Sequence, residues 1–84
     1  MKKRKTPESE ELSRALGERI VKLRQRRQWT QQQVSDQAGG LERAFISRIE
    51  SGQVEACLGT LSALARAFGV SLSKLLEGVG PNPR

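Results

Sequence analysis

Apolar residues recur at helical intervals along most of this 84-residue chain. Near the start, Leu12, Leu16, Ile20 and Leu23 follow one another at spacings of four, four and three residues. These spacings put all four side chains on one face of an α-helix. We therefore predict a first amphipathic helix of roughly four or five turns that ends near Arg27.

A second helix is predicted to begin at Gln31 and to end at a glycine pair. Thr30 is a preferred N-cap residue, and Gln33 stands three positions later, which is the signature of a capping box. Glycines 39–40 then end the helix, because glycine readily adopts the positive φ of a helix C′ position. A third helix is predicted from about Glu42 to Ser51.

The third helix leaves a small, flat side facing away from its apolar side. With about 100° per residue, Phe45, Ile46 and Ile49 fall in one sector, which must face the protein. The opposite side belongs to Ala44 and Ser47. The two arginines that border this side are Arg43 and Arg48.

Such a side suits a helix that reads DNA in the major groove. Arginine can donate two parallel hydrogen bonds to guanine O6 and N7, and small residues let the helix backbone approach base edges. For two isolated arginines, the plainer interpretation is a solvated helix face that carries charge. Their position in a helix-turn-helix of a basic chain favours the reading of DNA instead.

Two further helices complete the pattern. One is predicted from about Leu58 to Phe68 and ends at Gly69, and Ser71 is the N-cap of a last helix from Leu72 to Glu77. The predicted core stripe of the fourth helix comprises Leu58, Leu61, Leu64, Ala65 and Phe68. The last helix carries more apolar surface than six residues can bury within one small domain, so part of it is expected to be exposed.

Charge points to a polyanionic partner. Lys and Arg number 15 against 9 Asp and Glu, for a net charge of +6 and an isoelectric point near 10.5. A basic protein without a nucleic-acid role remains an alternative on charge alone. No apolar run approaches the roughly 18 residues that would span a membrane, and the charged start lacks the apolar segment of a signal peptide. We therefore expect one small cytoplasmic domain that does not contact a membrane.

The residue types argue against catalysis. With one cysteine and no histidine, the chain lacks a disulfide pair, an ordinary zinc ligand set and every histidine-based nucleophile arrangement. We expect no enzyme activity, no metal and no cofactor. Cys57 precedes the fourth helix, where a buried or N-capping role is favoured over redox sensing.

Together these motifs resemble the lambda-repressor-like helix-turn-helix family, also called the Xre family, which includes phage repressors, Cro proteins and restriction-modification controller proteins. The resemblance covers about Leu16 to Leu76. It is carried by LGERI at 16–20 with Leu23-Arg24, WTQ at 29–31, FISRIESG at 45–52, and Leu61 through Val70. It implies an all-α, compact five-helix domain over residues 9–78, with the helix-turn-helix unit at about 30–51. From their composition, residues 1–8, which begin with a basic run, and residues 79–84 are expected to be flexible tails.

The resemblance also implies which residues meet DNA. The base-facing positions are Arg43, Ala44, Ser47 and Arg48. Gln31 occupies the phosphate-facing position, and the other phosphate candidates are Thr30, Gln32, Glu42 and Gln53. A basic N-terminal arm that wraps DNA in some relatives would here comprise Lys2, Lys3, Arg4 and Lys5. Arg24 and Glu50 match a structural salt bridge between the first and third helices.

Three departures from the family pattern bear on the site. The turn is one residue longer than usual, with Gly40 as the apparent insertion. Ser35 replaces a common alanine where the two helices of the motif touch. The loop at 53–57 lacks any Lys or Arg and contains Glu55, which argues against phosphate contacts from charged side chains of this loop.

The function expected from these features is that of a sequence-specific DNA-binding transcription regulator. The family typically dimerises near the last helix, so Leu72, Leu76 and Val79 are candidates for a homodimer interface on a palindromic operator. An equally good interpretation is that these three close the monomer core. The alternative function is an antitoxin or protein-interaction module on the same fold, with an unidentified partner. RNA binding is less favoured, because the aromatic residues are all assigned to packing.

Overall fold

The computed structural model describes residues 6–80. In that range the chain forms five helices and no strand: α1 (Pro7–Arg26), α2 (Gln31–Ala38), α3 (Arg43–Glu50), α4 (Leu58–Phe68) and α5 (Leu72–Leu75). The expected all-α, five-helix architecture is confirmed. The arm residues Lys2, Lys3, Arg4 and Lys5 lie outside the described range.

The helix ends differ from the predicted ends by a few residues. α1 begins at Pro7 because the Thr6 hydroxyl caps the helix, accepting a 3.0 Å hydrogen bond from the backbone N–H of Ser9. α3 is one residue shorter at each end, since Glu42 and Ser51 occupy its cap positions.

The predicted caps of α2 are present. The hydroxyl of Thr30 accepts from the backbone N–H of Gln33 at 3.1 Å, and the Gln33 side chain accepts from the N–H of Thr30 at 2.7 Å. At the other end Gly39 has φ 82°, in the left-handed region. Both devices are local in sequence, and they fix where α2 begins and ends.

The core lies between α1, α3, α4 and the short helices α2 and α5. Its buried apolar residues are Leu16, Ile20, Leu23, Val34, Ile46, Ile49, Leu61, Leu64, Ala65, Phe68 and Leu75. The prediction that Leu12 and Leu58 belong to this core is wrong, because Leu12 is 40% exposed and Leu58 is 72% exposed. Leu58 stands in the first turn of α4, beyond the edge of the core. One residue after Leu12, the small side chain of Ser13 is buried instead.

A shallow apolar groove opens between α1, the loop before α4 and the end of the described chain. Its volume is about 280 Å³, and it is lined by Leu12, Ser13, Leu16, Glu55, Ala56, Leu61, Leu76 and Val79. Val79 is half-buried and packs against the core. Beyond α5 the chain turns back and covers part of α1, where a Cβ on Gly80 would lie 3.7 Å from the Leu12 side chain.

Cys57 occupies the N-cap position of α4, but it is exposed, and its side chain does not bond the helix backbone. Its Sγ lies 3.4 Å from the hydroxyl of Thr60. The side-chain hydrogen bond with Thr60 lowers the pKa of the Cys57 thiol. Of the two expected roles of Cys57, burial is therefore wrong, and the N-cap position is occupied without a side-chain cap bond.

Three arginines bind the carbonyl groups at the C-terminal ends of helices. Arg19 donates to the carbonyls of the last two residues of α5 at 2.8 and 3.1 Å. Arg66 donates to the last carbonyl of α2 at 2.9 Å. Arg27 donates to the last carbonyl of α4, and its guanidinium lies 5.2 Å and 5.4 Å from the ring centres of Phe68 and Trp29. Helix C-termini leave such carbonyls without intrahelical partners, so these cations stabilise the scaffold.

A close backbone approach occurs where α1 crosses the end of α3. A Cβ built on Gly17 would lie 2.5 Å from the carbonyl oxygen of Glu50 and 2.6 Å from that of Ile49. Both neighbours are backbone atoms, which cannot rotate away. Glycine at position 17 is therefore what lets the two helices come this close, a role that the sequence pattern did not reveal.

We predict that Gly17→Ala destabilises the fold by roughly 1–3 kcal/mol, because the new methyl group forces α1 away from α3. Urea unfolding followed by circular dichroism measures this change. Gly59→Ala is the matched control: Gly59 is also helical, yet a Cβ there would meet nothing within 4 Å. The control should be neutral or about 0.5 kcal/mol more stable, since alanine favours helix. Equal effects of both variants would contradict the close-packing account.

Candidate nucleic-acid interface

α3 presents opposite sides to the core and to solvent. Ile46 and Ile49 are fully buried, and Phe45 is half-buried against the core. On the other side, Arg43, Ala44 and Arg48 are exposed and Ser47 is half-buried. The structure thus brings the four base-facing candidates together on one accessible side of a single helix. Both alternative interpretations of that side, a DNA reader and a charged surface, require this exposure.

The side chains of Arg43 and Arg48 form no ion pair and no hydrogen bond with any other of residues 6–80. The Arg48 guanidinium lies 5.9 Å from the centre of the Phe45 ring. An exposed contact of this kind contributes about 0.5–1 kcal/mol, enough to restrain the side chain without occupying its donors. Both guanidinium groups can therefore donate to a partner.

The buried end of α3 is held by a network centred on Glu50. Nε of Arg24 lies 2.7 Å from Oε2 of Glu50, and Nη2 lies 3.2 Å from Oε1. A third arginine nitrogen, Nη1, donates to the carbonyl of Trp29 at 2.9 Å. The Glu50 side chain is 6% exposed and that of Arg24 is 19% exposed. The ion pair expected from the family resemblance is thus present, and it joins α1 to the last residue of α3.

Gln31 belongs to the same network. Its Nε2 donates to Oε1 of Glu50 at 2.9 Å, which places the first residue of α2 against the last residue of α3. An amide nitrogen has two hydrogens, so this bond leaves one donor for a phosphate. The position of Gln31 is therefore set by Glu50, whereas sequence reasoning assigned it a phosphate contact alone.

The other phosphate candidates differ in what they can offer. The hydroxyl of Thr30 caps α2, and Nε2 of Gln32 donates to Asp36 at 2.9 Å. Glu42 is exposed and forms no side-chain cap, but a carboxylate cannot donate to a phosphate, so it could act only through its backbone N–H. Gln53 is exposed in the loop after α3.

The turn between α2 and α3 is fixed by side-chain bonds. The Ser35 hydroxyl donates to the carbonyl of Leu41, and Arg66 donates to that of Ala38. Gly40 has open space where a Cβ would be. Sequence reasoning treated Ser35 only as a small residue. The signal available in the sequence for this bond was the hydroxyl of Ser35 at a position where the family commonly has alanine.

Other kinds of site find no support in the described part of the chain. Residues 6–80 contain no group of three or more His, Cys, Asp or Glu side chains that could hold a metal ion. None of the helices at 7–75 combines the length and the apolar character needed to cross a bilayer.

Comparison with known sequences identifies related proteins. A family profile described as "Helix-turn-helix" matches residues 20–75. The immunity repressor protein of Bacillus phage phi105 is 34% identical over 61 residues, which cover 73% of this chain and 42% of that protein. The chain therefore spans less than half the length of this relative.

Solved structures with similar folds include two regulators of comparable size. The restriction-modification controller protein C.AhdI from Aeromonas hydrophila matches with a TM-score of 0.71 at 25% identity, over 75% of this chain and 94% of that protein. A hypothetical transcription factor NHTF from Neisseria matches with a TM-score of 0.72 at 25% identity, over 90% and 86% of the two chains.

We predict that Glu50→Ala destabilises the protein by about 3 kcal/mol, because it leaves the partly buried Arg24 and Gln31 donors without an acceptor. Urea unfolding of Glu50→Ala, Arg24→Ala and the double variant forms a double-mutant cycle. The double variant should lose clearly less stability than the sum of the single variants. Strict additivity would show that the ion pair does not couple α1 to α3.

Proposed function

The chain belongs to the helix-turn-helix family of lambda-repressor-like DNA-binding transcription regulators, and on this premise we propose that it recognises a specific DNA sequence through α3. One observation carries the proposal: Arg43 and Arg48 are exposed and form no ion pair within residues 6–80. They lie on either border of the small, flat side formed by Ala44 and Ser47. This is the chemistry that a groove-reading helix needs.

In the proposed complex, α2 crosses the phosphates and α3 lies in the major groove. Each arginine donates to a guanine edge, while the small side chains let the α3 backbone come close to neighbouring bases and thymine methyl groups. The remaining donor of Gln31 faces a phosphate at the start of α2. Phosphate contacts position the protein and make its affinity depend on salt, and the base contacts supply discrimination.

We further propose that two copies bind a palindromic operator, with half-sites about one helical turn apart. Leu72 supports an interface at α5, since it is 37% exposed although it is apolar. Leu76 and Val79 are half-buried against the core, so they can contribute less surface than Leu72. The name of the phage relative, an immunity repressor, favours repression as the outcome of binding.

A protein-binding role is the second candidate, and the apolar groove beside Leu12 is the observation that favours it. An antitoxin or interaction module would use such a surface for its partner. Purified protein that carries a stoichiometric protein partner, and that genomic DNA does not retain in a salt-dependent manner, would favour this second function over the first.

Random-site selection followed by sequencing tests DNA reading directly. The wild-type protein should recover a palindromic consensus, and Arg43→Ala or Arg48→Ala should each relax one position of every half-site, with a loss of roughly 1–3 kcal/mol. Arg26→Ala is the control, because it removes the same charge from an exposed position at the end of α1. An unchanged consensus in both α3 variants would rule out this assignment of the reading helix.

Sedimentation velocity tests the proposed homodimer. Leu72→Asp should convert the dimer to a monomer, since it places a charge in an apolar interface. Leu58→Asp is the control, because Leu58 is also an exposed leucine but lies at the start of α4, away from α5. This variant should leave the dimer intact. Dissociation by the Leu58 variant alone would place the interface elsewhere.

A further inference from the structure

The crossing of α1 over the end of α3 brings one more cation to the DNA-reading helix. A Cβ built on Gly52, two residues after the end of α3, would lie 3.1 Å from Cα of Arg14, 3.4 Å from its backbone nitrogen and 3.6 Å from its Cβ. The Arg14 side chain therefore begins directly beside the point where the chain leaves α3. This contact joins residues far apart in sequence, and no local motif marks it.

Arg14 differs from the arginines that stabilise the scaffold. Arg19, Arg24, Arg27 and Arg66 all donate to carbonyl or carboxylate oxygens within the described chain. The Arg14 side chain is exposed and has no hydrogen bond or ion pair with any of residues 6–80. Its charge is available to a partner.

The segment that follows α3 has no cation of its own. Residues 53–57 read QVEAC and contain a single charge, the carboxylate of Glu55. A cationic side chain beside this segment must therefore come from a neighbouring element. Arg14 is the cation whose backbone touches Gly52 at that place.

We propose that Arg14 binds a backbone phosphate of the operator at the C-terminal end of α3, so that α1 supplies the contact that the following loop lacks. This inference rests on the proposed function. With eight residues, α3 is about 12 Å long, which is comparable to the width of the major groove. When its N-terminal residues meet base edges, its C-terminal end lies toward the edge of the groove, where the phosphates are.

The competing role for Arg14 is internal. Its positive charge also stands near the negative end of the α3 dipole, where a cation contributes about 0.3–1 kcal/mol to stability. That role predicts a change in stability and no change in the salt dependence of DNA binding, so the two roles are separable.

The test uses the full chain and a fluorescein-labelled duplex that carries the consensus recovered by random-site selection. Fluorescence anisotropy at several KCl concentrations gives the slope of log K against log[salt] for the wild-type protein, Arg14→Gln, Arg14→Lys and Arg26→Gln. A lost phosphate contact should reduce the magnitude of the slope by roughly one. The corresponding loss of affinity is about eightfold at about 0.1 M salt and vanishes toward 1 M.

The proposal expects this change for Arg14→Gln alone, with Arg14→Lys and Arg26→Gln close to the wild-type slope. Arg26 is the matched control because it lies on the same helix, beside a polar pocket that also contains Glu18 and Glu77. An unchanged slope for Arg14→Gln, or an equal reduction in Arg26→Gln, would overturn the proposal while leaving α3 as the reader. Absence of salt-dependent binding by the wild-type protein would instead overturn the proposed function itself.

Discussion

The carboxylate of Glu50 is the contact on which the arrangement of the first three helices depends. It accepts hydrogen bonds from Arg24 of α1 and from Gln31 of α2, and Glu50 itself is the last residue of α3. Because the Glu50 side chain is almost fully buried, its charge requires these donors. Beside it, Gly17 lets α1 approach the α3 backbone. The inner side of α3 is thereby fixed, and the outer side, with Arg43 and Arg48, is left for a partner.

The arginines of this small domain divide into two groups with different roles. One group neutralises helix C-termini or pairs with Glu50, and comprises Arg19, Arg24, Arg27 and Arg66. The other group is exposed without an ion pair among residues 6–80 and includes Arg14, Arg43 and Arg48. Four of the 15 Lys and Arg residues of the full sequence are therefore engaged within the fold and are not free to bind phosphates. The salt dependence of binding should follow the exposed group, and not the composition.

Features that depend on a few consecutive residues could be predicted from the sequence. The capping box of α2 and the ends of α2 and α4 are such features, because their hydrogen bonds join residues three or four positions apart. Contacts between helices could not be predicted in the same way. Periodicity placed Leu58 on the apolar side of α4, but it could not show that this turn extends beyond the core. Likewise, the need for glycine at position 17 arises only from the α1–α3 crossing.

The proposed function depends on which surface of the chain meets DNA. Two-dimensional NMR of the ¹⁵N-labelled protein, titrated with the duplex recovered by selection, measures this directly. The largest amide shift changes should map to the start of α2 and to Arg43–Arg48, with the buried Glu50 network preserved. Changes concentrated on α4, α5 and the apolar groove, with α3 unaffected, would contradict the assignment of α3 as the DNA-reading helix.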